Sequence, residues 1–418
     1  MGGSHEEQLV SQQATIRGGL SRESSPCVTA TLGLACSIEQ ALNETSGMTF
    51  ARLFALSDRP RNRTITQFVS LLEPINDRRL AQLVAESQAV TRRFFGKTMR
   101  LFAPLYLSSE CINNCKYCGF SRDNPILRLT LSVDQVEAEA QYLVQQGFRN
   151  ILLVAGEHPK FVSNGYLLEV VRRLVSFVPS ISLEVAPMET EEYRPLVAAG
   201  AEGLVVYQET YDRAAYAHVH TAGPKRDFDW RLETPERAYG AGFRRIGIAP
   251  LFGLADWRFD AIALAEHVDY LLRRCWRSQL TISLPRLRPA AGGFRPQHSL
   301  PDRDLVQLLC ALRVTFPQVG IVLSTREPQD FRDLLIPIGV TMMSAGSRTE
   351  PGGYTGQGVD GLHLTVKGRV TQQACANSKA EAQFEVEDCR SPEAVAAAIR
   401  AQGLEPVWKD WDSSILSV

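Results

Sequence analysis

Eight short runs of apolar and β-branched residues, each followed by a longer stretch of helical periodicity, restrict this chain to few folds. They occupy residues 102–108, 150–154, 180–185, 203–207, 245–250, 280–285, 320–324 and 341–344. Such alternation is the pattern of parallel strands joined by crossover helices, and eight units of it predict an α/β fold of the (β/α)8 TIM type. An open, doubly wound sheet is the rival. Polar residues just past many strand ends favour the barrel: Glu157, Glu184, Gln208, Glu209, Arg286, Arg326 and Ser347. A barrel gathers all its strand ends on one face, whereas an open sheet gathers only those at its switch point.

The helices carry their own punctuation. Ser132 with Gln135 three residues on predicts a capping box, Val133, Val136, Ala140, Leu143 and Val144 make an apolar face, and Gly147 closes the helix. A second helix is predicted over 166–178, halting at Pro179, and Thr234-Pro235 opens a third. The chain divides into a loose polar tail over 1–37, a helical N-terminal layer over 38–98 with its clearest stretch at 78–95, the barrel over 99–350, and a C-terminal extension over 351–418. The extension holds a polar insertion at about 355–382, whose pattern fixes no element and which reads as a surface loop. It also holds a helix opened by Ser391-Pro392-Glu393 and ended by Gly403.

The first strand leads into Cys111, Cys115 and Cys118, with Asn113, Asn114 and Lys116 between them and Tyr117 before the last. Thiolates are the usual ligands of iron–sulfur clusters, and three of them can hold three corners of a cubane while the fourth iron stays free of protein. Two other readings compete. Closed structural zinc takes four ligands, and no Cys or His lies between Cys118 and Glu157 to complete such a set. Inert thiols packed as small hydrophobes suit an apolar loop, and this one is polar.

The 45 Lys+Arg against 46 Asp+Glu leave a net charge of −1, which offers no field for wrapping nucleic acid or an anionic membrane. The longest apolar runs have strand length, short of the ~20 residues of a spanning helix. Glu6, Glu7 and Glu23 stand where a targeting peptide would be basic. The nine cysteines are odd in number, and Cys27, Cys36, Cys275, Cys310, Cys375 and Cys389 are scattered rather than clustered as in a secreted disulfide framework. A cytoplasmic protein with a small, enclosed substrate is expected.

The cysteine spacing, three residues and then two with an aromatic before the last, resembles the loop of radical S-adenosylmethionine (SAM) enzymes. Ordered stretches along the chain resemble one branch of them, the anaerobic tyrosine lyases of thiamine biosynthesis, or 2-iminoacetate synthases. These are FAPLYLS at 102–108, GEH at 156–158, YQETY at 207–211, DFDWRLE at 227–233, PRLRP at 285–289, LSTRE at 323–327, PGGY at 351–354 and WKDWD at 408–412. The resemblance covers about 75–412 and departs at the insertion, which the shortest members lack.

The resemblance implies a radical SAM barrel with a [4Fe–4S] cluster on Cys111, Cys115 and Cys118. Its open iron binds SAM, which reductive cleavage converts to methionine and a 5′-deoxyadenosyl radical. It places Tyr117 against the adenine and Gly156, Glu157 and Glu209 around SAM. The substrate it implies is L-tyrosine, held through its carboxylate by Arg326 and Ser344 with Tyr106 nearby, and cleaved at Cα–Cβ to p-cresol and 2-iminoacetate. His158, Gln208, Arg286 and Arg288 are further candidates for SAM, substrate or proton-transfer contacts. A thiazole synthase is the implied partner and a flavodoxin or ferredoxin the implied electron donor.

Three other readings stay open at this stage: the tyrosine-cleaving hydrogenase maturase, a tryptophan lyase of the same superfamily, and an iron–sulfur or zinc protein without catalysis. The maturase needs a C-terminal extension with a second cysteine-bound cluster. Only Cys375 and Cys389 stand in this chain's last region, and the 408–412 ending resembles the thiamine enzyme.

Overall fold

A strand covered on both faces must be apolar along its length, and the first strand, β1 (Thr98–Ser108), is buried over almost all of it. The computed structural model describes residues 63–373 and 379–408. The expected tail, the first part of the helical layer, Cys375 and most of the 408–412 ending lie outside them. After β1 come β2 (Asn150–Ala155), β3 (Ser180–Glu184), β4 (Ala201–Glu209), β5 (Arg245–Pro250), β6 (Gln279–Ser283), β7 (Gly320–Leu323) and β8 (Met342–Ser344), each parallel to its neighbour. The last returns to the first, pairing Arg100 with Met342 and Phe102 with Ser344. That pairing closes the barrel and excludes the open sheet. A ninth strand, Glu405–Val407, pairs with the start of β1, and Trp408 packs edge-on against Phe148 at 5.2 Å between ring centres.

The predicted helix signals are used as such. The Ser132 hydroxyl accepts from the Gln135 N–H at 3.3 Å while the Gln135 side chain accepts from the Ser132 N–H at 2.8 Å, starting the helix Val133–Gln145. Gly147 follows it at φ +99°, a conformation that costs glycine least. The helix expected over 166–178 spans Asn164–Leu174 instead. Ser163 caps it earlier, accepting from the Tyr166 N–H, and the Val178 N–H turns back to the Leu174 carbonyl at 2.8 Å as the chain bends into β3. Before the barrel, the helices Arg63–Leu71 and Asp77–Phe95 form a layer against the helix Asp302–Thr315. Gln307 fastens it, its amide donating to the Leu71 and Glu73 carbonyls at 2.8 Å each.

The insertion is not a plain surface loop. Its strand His363–Val366 pairs antiparallel with Arg369–Gln373 on one side and with Ile126–Arg128, eight residues beyond the last cysteine of the loop at its start, on the other. Too few of its side chains are buried to give an alternating apolar pattern, so the pairing leaves no signal in the sequence. Among the described residues no helix is long and apolar enough to cross a membrane.

On the barrel's upper face, the helix Trp257–Arg274 ties down the loop after β4. Its buried Asp260 accepts from the Thr210 hydroxyl at 2.9 Å and the Tyr211 N–H at 2.8 Å. Burial pushes this carboxyl up to about 8, against the opposing pull of those two bonds. A raised folded-state pKa stabilises fully below the unfolded value and loses that contribution as pH rises through the folded one. Asp260→Asn keeps the acceptor and cannot ionise. Thermal unfolding should therefore show the parent falling relative to this variant between about pH 4 and pH 8 and levelling off above; a pH-independent difference would refute the assignment.

Candidate active site

The cysteine loop is held from three directions. Arg128, 1% exposed, donates to the Ser109 carbonyl before the cysteines, to the Phe120 carbonyl at 3.0 Å and the Ser121 carbonyl at 2.7 Å after them, and to the Thr365 hydroxyl of the insertion at 2.6 Å. At the end of β2, the Gly156 N–H donates to the Ser108 carbonyl at 3.0 Å and the Ile112 N–H donates to the Glu157 carbonyl at 2.8 Å. A side chain at Gly156 would overlap the Glu110 carbonyl, so this close approach of two backbones requires glycine. From the C-terminal side, the Gln383 carbonyl accepts from the Gly119 N–H at 3.1 Å, and the Glu110 carboxylate meets His363 Nε2 at 2.7 Å.

Cys111, Cys115 and Cys118 line one pocket together with Gly156, Glu157, Glu184, Glu209, Lys225 and Arg231. Among the described residues no three His, Cys, Asp or Glu side chains are grouped closely enough to hold one metal ion. A cubane takes each thiolate on a separate iron, so three thiols spread around one pocket fit a cluster and not a single zinc ion. The donor set is soft sulfur with room beside it, as a cluster with an open iron needs. Burial pushes all three thiols up, which leaves the thiolate form to be stabilised by a bound cation.

The acidic groups of the pocket have distinct settings. Glu157 accepts from the Asn113 amide at 2.6 Å. Glu209 sits at φ +73°, its carbonyl accepting from the Leu251 N–H at 2.6 Å and its carboxylate bridging Lys225 at 2.6 Å and Arg231 at 3.5 Å. Burial pushes that carboxyl up, but Lys225 and then Arg231 outweigh it and hold it below the ordinary range. Glu184, ending β3, is pushed up to about 7 by burial, with the Arg326 charge pulling the other way. Lys225 and Arg231 carried no assignment from sequence, and only the position of Arg231 within DFDWRLE marked it.

The remaining candidates separate into near and far. Tyr106, Arg326 and Ser344 do not line the cysteine pocket; they stand beside it on β1, after β7 and on β8, which are neighbours where the barrel closes. Charges on Arg326 and Glu184 both bear on Tyr106, whose hydroxyl donates to the Gln383 side chain at 2.7 Å. Arg326 stacks on Phe384 at 3.3 Å, and the Ser344 hydroxyl accepts from the Thr325 N–H at 3.1 Å. Tyr117 lies off the pocket, its hydroxyl bonded to His220 Nε2 at 2.8 Å and its ring edge-on to His220 and Phe294. Arg286 and Arg288 are both committed to Glu327. Gln208 donates to the Phe228 carbonyl at 3.4 Å, and His158 caps its own turn by accepting from the Lys160 and Phe161 N–H groups.

Comparison with known proteins agrees with this geometry. Residues 105–264 match the Radical SAM superfamily and residues 283–405 the Biotin and Thiamin Synthesis associated domain. The 2-iminoacetate synthase of Escherichia coli (strain K12) is 42% identical over 351 residues, covering 84% of this chain and 88% of the relative. That of Salmonella typhimurium is 42% identical over 349 residues, covering 82% and 86%. The solved structure of the FeFe-hydrogenase maturase HydG from Carboxydothermus hydrogenoformans superposes with a TM-score of 0.75 at 30% identity, covering 94% of this chain and 86% of that one. Identity of this degree along most of both chains, on a closed barrel whose three loop thiols share one pocket, places the protein in the 2-iminoacetate synthase family of radical SAM enzymes.

Proposed function

We propose that this enzyme cleaves the Cα–Cβ bond of L-tyrosine to 2-iminoacetate and p-cresol, supplying the imine for thiazole formation in thiamine biosynthesis. The observation that carries the reading is the juxtaposition, at one barrel mouth, of the three-thiol pocket with Arg326, Ser344 and Tyr106 at the strand ends beside it. The family's cofactors are a [4Fe–4S] cluster and SAM. Cys111, Cys115 and Cys118 would hold the cluster, and Glu157, kept in place by Asn113, would accept from the SAM ammonium group. Bound there, cluster and SAM supply a hydrogen-abstracting adenosyl radical. Gly156 lets the β2 end approach the loop closely enough to place Glu157 there, and Glu209 with Lys225 and Arg231 makes a rigid polar wall.

Arg326 offers a planar fork suited to a carboxylate, and Ser344 a hydroxyl that already accepts one bond and can donate another. The barrel wall keeps water from the reacting atoms. Tyr117, behind the loop, supports the cysteine segment through His220, which burial and then Lys225 hold down at about 3 and so keep neutral. A flavodoxin or ferredoxin as reductant, a thiazole synthase as consumer of the unstable imine and a cytoplasmic setting belong to the same reading. Anaerobic reconstitution with iron and sulfide, followed by reduction with SAM and tyrosine, is expected to yield p-cresol and 5′-deoxyadenosine in step. Formation of 5′-deoxyadenosine without p-cresol, or faster turnover of tryptophan run alongside, would sink the substrate assignment.

A further inference from the structure

An α-amino acid carries its carboxylate and its ammonium group on one carbon. A site that clamps the first with a cation must therefore meet the second with an acceptor a few ångströms away, or leave a charge unpaired in a closed pocket. Of the carboxylates lining the cysteine pocket, Glu157 is engaged by Asn113 and Glu209 by Lys225 and Arg231. Glu184 lines the same pocket from the end of β3, and Arg326 is the cation that bears on it most. No described residue forms a hydrogen bond with its carboxyl group.

We propose that Glu184 is the catalytic residue that receives the substrate's ammonium group and takes its proton; this rests on the reading of Arg326 as the carboxylate clamp. A hydrogen atom is not readily removed from a nitrogen that already carries a positive charge, so the ammonium group has to lose a proton first. In that step one N–H bond breaks with its electron pair left on nitrogen, and one O–H bond forms on Glu184. Nothing is oxidised or reduced. A carboxylate shielded from water and raised toward neutrality is basic enough for the transfer. The charged groups that face it are Arg326, Glu209, Arg231 and Lys225, and the hydroxyls of Tyr106 and Tyr207 lie in its field. Sequence reading placed Glu184 only among the polar residues at strand ends, since a lone glutamate carries no motif.

The test compares L-tyrosine with 3-(4-hydroxyphenyl)propanoate, which lacks only the amino group, by anaerobic equilibrium dialysis against the reconstituted full-length protein. The parent should prefer tyrosine, and Glu184→Gln should lose about tenfold or more of that preference while binding the propanoate as the parent does. Its p-cresol formation should fall about 10²-fold, and the acidic limb of the pH profile should move upward, toward the ionisation of the substrate's own amino group. Glu184→Asp should recover part of both. A preference for tyrosine that persists in Glu184→Gln, or an acidic limb that stays where the parent's lies, overturns the proposal. Arg326→Ala separates the underlying reading: weaker binding of both ligands supports the clamp, whereas unchanged binding of both overturns the clamp whatever Glu184→Gln does. Unaltered iron content and electron paramagnetic resonance of the reduced cluster in Glu184→Gln exclude misfolding as the cause of its losses.

Discussion

Cys115→Ala is expected to abolish the iron–sulfur chromophore and SAM cleavage together. The side chain is 5% exposed, and it sits on a stretch paired to the loop at His220. Cys275 and Cys310 are buried at the end of one barrel helix and inside another. Alanine leaves two thiolates where a cubane needs three to keep a single open iron. Iron after reconstitution should drop from about four per chain to a loosely held fraction, with the visible absorption lost and neither 5′-deoxyadenosine nor p-cresol formed. SAM cleavage that survived this substitution would overturn the assignment of the cluster to this loop.

Arg128→Met should be nearly as damaging although it touches neither cluster nor substrate. Methionine keeps the length of the stem but removes every donor, so the Ser109, Phe120 and Ser121 carbonyls and the Thr365 hydroxyl lose their partner at once. Stranding a buried acceptor costs roughly 1–3 kcal/mol, and since all four partners are neutral no unpaired ion is left behind. Urea unfolding of the anaerobic protein should register a loss in that range, and a chelator should strip iron several-fold faster. Arg128→Lys should behave as an intermediate, because an ammonium group cannot serve the acceptors that the planar fork reaches simultaneously. Parent-like unfolding and iron release in Arg128→Met would show that the loop holds its shape without this residue.

These two residues also mark what the sequence discloses. Strand content, helix caps and the cysteine loop are legible because each depends on local periodicity or spacing, and all eight predicted runs are strands of one closed barrel. Arg128 is not legible, for its four acceptors come from three separate segments and none lies in a motif with it. The pairing of Ile126–Arg128 with His363–Val366 fails for a related reason: the paired strands are short, mostly half-buried and far apart along the chain. Among pocket residues, the resemblance brought out Glu157 and Glu209, whose neighbours form ordered stretches, but it could not foretell that Arg286 and Arg288 are spent on Glu327. That outcome depends on which side chains meet across the barrel mouth.

The strap formed by the insertion has a consequence for how the protein is made. Arg128 and Thr365 are 237 residues apart, and Glu110 and His363 are 253 apart. Contacts of such separation form late, because a long loop must be closed before any of them is rewarded. During synthesis the three thiols therefore emerge and remain uncovered while most of the barrel is still to be built. The strap can close over the loop only once most of the barrel has been made, so the shape of the earliest loop is completed by a segment that appears late.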